Sequence, residues 1–343
     1  MENLFDDTLD PTEAVFGLAA GHKIVHHRLS QSPHFLIGGR DGFGKTTLIK
    51  QILISLTANS QPYQLRFVIV DPSGSGFYDY RGNPYMLVDP IVGKRQIDKK
   101  TSFLVQYLQI LARHRLLEMA KIKAKNFFAY NQKARHLNRR PWPYLVVVLD
   151  DFSALNYGGH HKLEKPLTKL AILAKKIGLS LIIATSQIKA DVIGDHLRSQ
   201  IFSRICFGVF TFRQAALILG KPGAENLKKP GVMLMRFPTT PGNQRYRPNF
   251  ITSTRAKSLL EDERKTYGTP PYLGDPKKRP DPTALSTFWL QAILGRLKDD
   301  QKLLPVDFYR LVVDFRQGKK VDLSLPLEKD VLARPYLSEL KSR

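Results

Sequence analysis

Between residues 39 and 46 the chain reads Gly-Arg-Asp-Gly-Phe-Gly-Lys-Thr, a G-x-x-x-x-G-K-T spacing. Gly42 and Gly44 let the backbone turn sharply and bring its N–H groups against phosphate oxygens. Lys45 can reach the β and γ phosphates of a nucleotide, and Thr46 can offer a hydroxyl to Mg²⁺. The run Gly39, Arg40, Asp41, Gly42, Phe43, Gly44, Lys45, Thr46 and Thr47 is therefore the expected ATP-binding loop. Further along, Asp150 and Asp151 end an apolar run. Asp150 is placed to hold Mg²⁺ through water, and Asp151 to polarise the attacking water. A third polar tip, Thr185-Ser186-Gln187, can sense a γ-phosphate, with Gln187 as the candidate.

Each group needs an element to hold it. Phe35 to Ile37 precede the loop as a short strand. After it Leu48, Ile49, Ile52, Leu53 and Leu56 recur at helical spacing. Strand, glycine loop and helix is the context that phosphate binding requires, with the helix N-terminus adding its positive dipole end. Gln64 to Val70, Tyr144 to Leu149, Leu179 to Ala184, Arg204 to Phe210 and Gly231 to Arg236 read as further strands. The run 144–149 is continuously apolar, as in a parallel sheet. Helices are expected over 101–118, 163–177 and 191–201, and one or two short strands over 14–33. Alternating strands and helices predict an α/β fold with a mainly parallel sheet covered on both faces.

Composition bounds the rest. The chain has 343 residues, 43% of them hydrophobic, and a net charge of +23. Residues 1–250 carry 35 basic and 17 acidic side chains, and residues 94–140 alone hold 13 Lys or Arg against Asp98 and Glu118. Such a surface is a footprint for a polyanion, and Lys121, Lys123 and Lys125 are candidate DNA contacts. The single Cys206 excludes an intramolecular disulfide framework, and its apolar neighbours predict a buried thiol. No apolar run approaches the ~20 residues that span a bilayer. The acidic N-terminus does not read as a signal peptide, so a cytoplasmic protein is expected. His22, His26, His27 and His34 lack Cys partners and zinc spacing and read as surface or strand histidines. Three segments are expected: an α/β nucleotide-binding domain over 1–250, a Pro-rich linker over 251–281, and a small helical C-terminal domain over 282–343 whose role is not legible.

Several stretches together resemble the motor domain of FtsK/SpoIIIE-type DNA translocases, within the FtsK–HerA superfamily. Pro33 to Ile37 is similar to the family's entry strand, and Arg66 to Pro72 to its second strand. Ala129-Tyr130-Asn131 resembles G-Y-N, and Val147 to Phe152 resembles V-x-V-D-E-F. Ser203-Arg204-Ile205 resembles T-R-I. Pro222 to Glu225 and Gly231 to Leu234 resemble P-G-A-E and G-D-M-L. The resemblance covers roughly residues 15–237. It implies a RecA-like P-loop NTPase that uses ATP and Mg²⁺ to move double-stranded DNA as a ring, in a hexamer. It implies Arg204 as an arginine finger acting across the subunit boundary, and Arg213, Lys228 and Lys229 toward DNA. Four departures stand out: Asp151 for the family's Glu, Ser73 for the Lys of D-P-K, Ser186-Gln187-Ile188 for Q-R-P, and Ala216 for a DNA-facing Arg. Two alternatives follow: a motor of the same superfamily with other cargo (plasmid transfer, genome packaging or protein secretion), or a non-hydrolysing DNA-binding scaffold.

Overall fold

A computed structural model describes residues 10–268, apart from 75, 95–96, 156–162, 240–241 and 249–251. The expected C-terminal helices of 282–343 lie outside the described residues. The strands are β1 (Glu13–Leu18), β2 (Ile24–Arg28), β3 (His34–Gly38), β4 (Leu65–Asp71), β5 (Ile91–Val92), β6 (Tyr144–Leu149), β7 (Leu179–Thr185), β8 (Ser203–Phe207), β9 (Met233–Arg236) and β10 (Gln244–Tyr246). The α-helices are α1 (Lys45–Ala58), α2 (Ile97–Lys121), α3 (Phe127–His136), α4 (Phe152–Leu155), α5 (Glu164–Ile177), α6 (Asp195–Ser199), α7 (Phe212–Leu219) and α8 (Ser253–Tyr267).

Eight strands form one sheet in the order β10-β9-β8-β3-β7-β6-β4-β5, with β1 and β2 as a separate hairpin. From β8 to β5 the pairings are parallel; β9 and β10 extend the sheet antiparallel. The side-chain alternation of the strands explains how both faces are filled. Leu36, Val68, Val70, Leu145, Val147, Leu149, Leu181 and Ile183 point into one core. Phe35, Ile37, Phe67, Ile69, Val146, Val148, Ile182 and Ala184 point into the other. Residues from α2, α5 and α7 fill the first core, and residues from α1, β1 and Leu260 of α8 fill the second. This is the doubly covered sheet that the apolar runs predict.

The differences are local. The expected helix 191–201 is helical only over Asp195–Ser199. The strand expected to run to Phe210 ends at Phe207, and α7 begins at Phe212. Part of the range assigned to a linker, Ser253–Tyr267, is a helix. Cys206 is fully buried, as its neighbours predict. His27 and His34 are strand residues, and both are buried. His34 is bonded on both ring nitrogens: Nε2 to Ala171 O at 3.0 Å, and Nδ1 to the Leu181 N–H at 3.2 Å. Burial lowers both imidazoles to about 4, with one opposing backbone bond each.

Candidate nucleotide site

β3 delivers the glycine loop to the carboxyl end of the sheet, where α1 begins at Lys45. Three glycines take backbone angles that L side chains rarely adopt: Gly39 at φ +153°, Gly42 at +76° and Gly44 at +110°. At Gly39 the requirement is also steric, because a Cβ would fall 2.6 Å from Cβ of Phe207 on the adjacent strand. The loop is threaded tightly against β8 and could not be built with alanine there.

Lys45 is only 7% exposed. Its Nζ donates to the carbonyl oxygens of Gly39 (2.8 Å) and Arg40 (3.0 Å) and lies 3.3 Å from Oδ1 of Asp41. Asp41 is 87% exposed, so that ion pair contributes at most about 1 kcal/mol. The carbonyls hold the cation at the mouth of the loop, where a nucleotide's terminal phosphates would meet it.

Thr46 and Asp150 come together: the Thr46 hydroxyl donates to Oδ2 of Asp150 at 2.7 Å. β7 lies between β3 and β6 in the sheet. The loop must therefore bridge one strand to bring its threonine to the acid at the tip of β6. A hydroxyl and a carboxylate are hard oxygen donors of the kind Mg²⁺ takes, usually with few protein ligands and the rest water. Burial pushes the Asp150 carboxyl up to about 6; the Thr46 bond and Lys45 oppose the rise, while the Asp71 and Asp151 carboxylates add to it.

Asp71, at the tip of β4, is a candidate site residue that sequence reasoning missed, since it read there only as part of the strand motif Arg66 to Pro72. Its buried carboxylate accepts N–H bonds from Ser73 (2.9 Å), Gly74 (3.1 Å), Gly76 (2.8 Å) and Phe77 (3.3 Å), and the Ser73 hydroxyl at 2.5 Å. These bonds fold the turn after β4 back on the site. A Cβ at Gly76 would lie 2.9 Å from Cγ2 of Thr46 and 3.7 Å from Oδ2 of Asp150. The only hint in the sequence is an Asp followed by Ser and Gly residues, the pattern of a carboxylate-capped turn.

Asp151 takes a left-handed conformation, φ +57°, which Asp tolerates better than most residues. Its carboxylate accepts a hydrogen bond from the Ser153 hydroxyl. At the tip of β7, Thr185 is buried and its hydroxyl donates to the carbonyl of Gln187 at 3.1 Å. Gln187 itself is exposed and borders a small crevice with Arg198, Leu217 and Ile218. Ser186, one residue earlier, borders the cleft shared by Arg40, Asp41 and Phe43. Arg204 is half-buried and engaged within its own chain: Nη1 donates to Ile218 O at 3.1 Å, and Nε and Nη2 donate to the carbonyls of Ile201 and Arg198. Burial, with Arg198 and Arg236 nearby, lowers it to about 10. That geometry is the one expected of a structural arginine.

The basic residues separate into two groups. Lys121, the last residue of α2, and Lys123 and Lys125, between α2 and α3, are exposed. The neighbouring Phe127 packs against Gly178, just before β7 begins, so this turn lies at the amino end of the sheet. Within the same basic stretch Arg115 is buried and structural, donating to the carbonyls of Ile177 (2.6 Å), Gly178 (3.3 Å) and Pro143 (2.7 Å). Arg213, Lys228 and Lys229 are exposed at the carboxyl end, on the same side as the phosphate loop. The turn that carries the two lysines is tied to that loop by Gly231 N–H donating to Phe43 O at 3.0 Å.

Asp150 gives a pH signature. Its carboxyl has an ordinary value of 3.8 and is raised to about 6 in the fold. Between these values the folded chain holds a proton that the unfolded chain has released. Stability from this group is therefore lost as pH rises through the window. His27 and His34 act oppositely from about 4 to 6.5, since the unfolded chain protonates there first. The two limbs overlap, and only a variant separates them. Asp150→Asn should match the parent near pH 4 and exceed it above pH 6, by on the order of 2 kcal/mol. Urea denaturation in the presence of chelator, at a series of pH values, measures the difference.

The chain matches the model of the FtsK/SpoIIIE family over residues 2–191. It is 30% identical over 295 residues to the DNA translocase FtsK of Helicobacter pylori (strain J99), covering 80% of this chain and 34% of that protein. It is 28% identical over 273 residues to the DNA translocase FtsK of Borreliella burgdorferi, covering 78% of this chain and 34% of that protein. The chain thus spans about a third of the length of these relatives. Among solved structures, the cytoplasmic domain of the Thermomonospora curvata type VII secretion ATPase EccC shares the fold. Its TM-score is 0.68 at 19% identity, covering 76% of this chain and 32% of that one. The pCW3 conjugation coupling protein TcpA with ATPγS aligns with a TM-score of 0.62 at 20% identity, covering 75% and 73%.

Proposed function

The chain belongs to the FtsK/SpoIIIE family of ATPases, and from that premise we propose that it binds MgATP on the loop 39–46 and couples its hydrolysis to movement along double-stranded DNA. The observation that carries this reading is the 2.7 Å bond between Thr46 and Asp150, which joins the phosphate loop to the acidic strand tip at one point. Lys45 neutralises the terminal phosphates, and the backbone N–H groups of Gly42 to Thr46 cradle them. Thr46 and Asp150 hold Mg²⁺, which when bound draws charge from the phosphate oxygens. Asp151 orients the attacking water and accepts its proton. From the β7 tip Ser186 borders the cleft beside the loop, and Gln187, the expected sensor, borders the neighbouring crevice instead. A ring of subunits, hexameric by family resemblance, is the working form. Arg204 reaches a neighbour's site only by giving up its own carbonyl partners.

The motor is assigned to residues 1–250, and α8 packs on it through Leu260. DNA runs across the carboxyl end of the sheet, where the basic turn of Lys228 and Lys229 is bonded to the phosphate loop. Affinity from Lys and Arg on phosphates falls steeply with salt and varies little with sequence. Charge reversal at Lys228 and Lys229 should weaken duplex binding at least about tenfold and flatten the salt slope. Reversal at Lys121, Lys123 and Lys125 should leave it nearly unchanged. Fluorescence anisotropy across a salt series decides; the opposite ranking moves DNA to the amino end. Phosphate release with and without DNA tests the reading as a whole. A rate that DNA does not raise would point to another cargo, and no hydrolysis would point to a scaffold.

A further inference from the structure

Phe210, on the short segment between β8 and α7, and Phe212, the first residue of α7, are 74% and 57% exposed. Single exposed apolar side chains need no explanation. These two sit among cations. The Arg40 guanidinium lies 4.0 Å from the ring centroid of Phe43 and 4.8 Å from that of Phe210, and Arg213 lies 5.8 Å from the ring of Phe212. Nε of Arg40 has no hydrogen-bond partner among the described residues. Lys228 and Lys229 flank the same surface: their turn is bonded to Val209 N–H through Ala224 O at 3.4 Å and to Phe43 O through Gly231 N–H. A cleft of about 380 Å³ opens beside the rings, bordered by Arg40, Phe43, Ser186 and Phe210.

The display is fixed. Thr211 caps α7, its hydroxyl accepting from Gln214 N–H at 3.3 Å. The Gln214 side-chain oxygen accepts in turn from the N–H groups of Phe210 (3.0 Å) and Thr211 (3.3 Å). The reciprocal cap leaves the segment little freedom to fold the rings inward, and a buried Phe side chain would stabilise the chain by about 1.5–3 kcal/mol. The rings stay out because the local backbone holds them out.

We propose that this ledge binds unpaired nucleotides of a DNA strand, the bases stacking on Phe210 and Phe212 and the phosphates meeting Arg213, Lys228 and Lys229. The inference rests on the DNA reading above and adds the form of DNA. A duplex offers its phosphates and its groove edges, and its base faces are already stacked. An opened strand or a single-stranded end offers base faces, which every base has, so aromatic ledges beside cations take it without regard to sequence. Charge argues against a second copy of the same face, since Arg213, Lys228 and Lys229 would meet their own kind.

The test compares a labelled oligothymidylate of about 20 nucleotides, which cannot pair, with a duplex of equal length. For the parent, both should bind at low salt. Phe210→Leu and Phe212→Leu should each weaken oligothymidylate binding at least about fivefold and leave duplex affinity within about twofold. A 2-aminopurine placed in the strand should report stacking by a change in emission that the Leu variants lose. Thermal melting of each variant checks that the fold is retained. Equal losses for both forms of DNA, or no loss for either, would overturn the ledge. So would variants whose mass by light scattering falls below that of the parent, since the rings would then be serving subunit contact. If the parent binds neither form, the DNA reading itself fails; if it binds duplex and the variants do not discriminate, only this inference fails.

Discussion

Lys45→Ala should abolish ATP hydrolysis, lowering the rate by at least about 10³-fold. The expectation follows from where the ammonium is held. It is nearly buried, and its partners within the chain are two carbonyls and one exposed carboxylate. In a site of low dielectric a cation beside a terminal phosphate is worth far more than in water. Removing it leaves the Gly39 and Arg40 carbonyls to water, so the fold should lose little. Phosphate release measures the effect, and thermal melting checks the fold. Turnover near the parental rate would show that the loop does not serve the γ-phosphate.

Asp151→Asn should stop turnover while preserving nucleotide binding, since the amide can accept no proton from water. The backbone makes this a clean substitution: Asn occupies left-handed positions about as readily as Asp, so φ +57° is kept without strain. Asp151→Glu is the informative partner. The family pattern has Glu at this position, and the acid here is one methylene shorter. If reach limits the rate, the longer side chain should retain or raise activity. Glu tolerates the left-handed region less well, by about 1 kcal/mol, which a melting curve would register separately. An Asn variant that turns over normally would remove Asp151 from the mechanism. An inactive Glu variant with intact nucleotide binding would show a pocket built for the shorter acid.

The parts of this molecule that could be read from its residues are those whose structure is set locally. β3, β4, β6 and β7 are runs of apolar residues long enough to be buried on both faces, and the glycine loop has a spacing that few other turns share. The site residues that meet, Thr46 and Asp150, follow from those elements. What could not be read depends on where a turn folds back. Asp71 organises the turn beside Thr46 and Asp150 through N–H groups up to six residues away, and the Ser and Gly residues after it hint only at a turn, not at where that turn folds. Arg115 sits in a basic stretch yet is buried, because three carbonyls near the starts of β6 and β7 converge on it. Arg204 illustrates the same point in reverse: its motif suggests a partner in another subunit, and its carbonyl bonds are all in its own. α8 was hidden by composition. Among its residues whose burial is described, Leu260 alone belongs to the core, so its pattern resembles a solvated segment.

That helix also fixes where the catalytic unit can be cut. Glu263 accepts a hydrogen bond from the buried Asn83 side chain at 2.5 Å, and Asn83 in turn accepts the N–H of Tyr85 at 2.9 Å. Arg264 donates to the carbonyls of Asp79 and Arg81, and Tyr267 sets its ring edge-on to Tyr85 at 5.8 Å. All of these partners belong to the excursion between β4 and β5, which begins at the Asp71 turn. A recombinant fragment ending near residue 250 would strip this buckle from the molecule. It would leave Asn83 without its acceptor and the side of Tyr85 in water. A fragment carried through Gly268, the last described residue, keeps the buckle closed and is the shorter piece worth expressing.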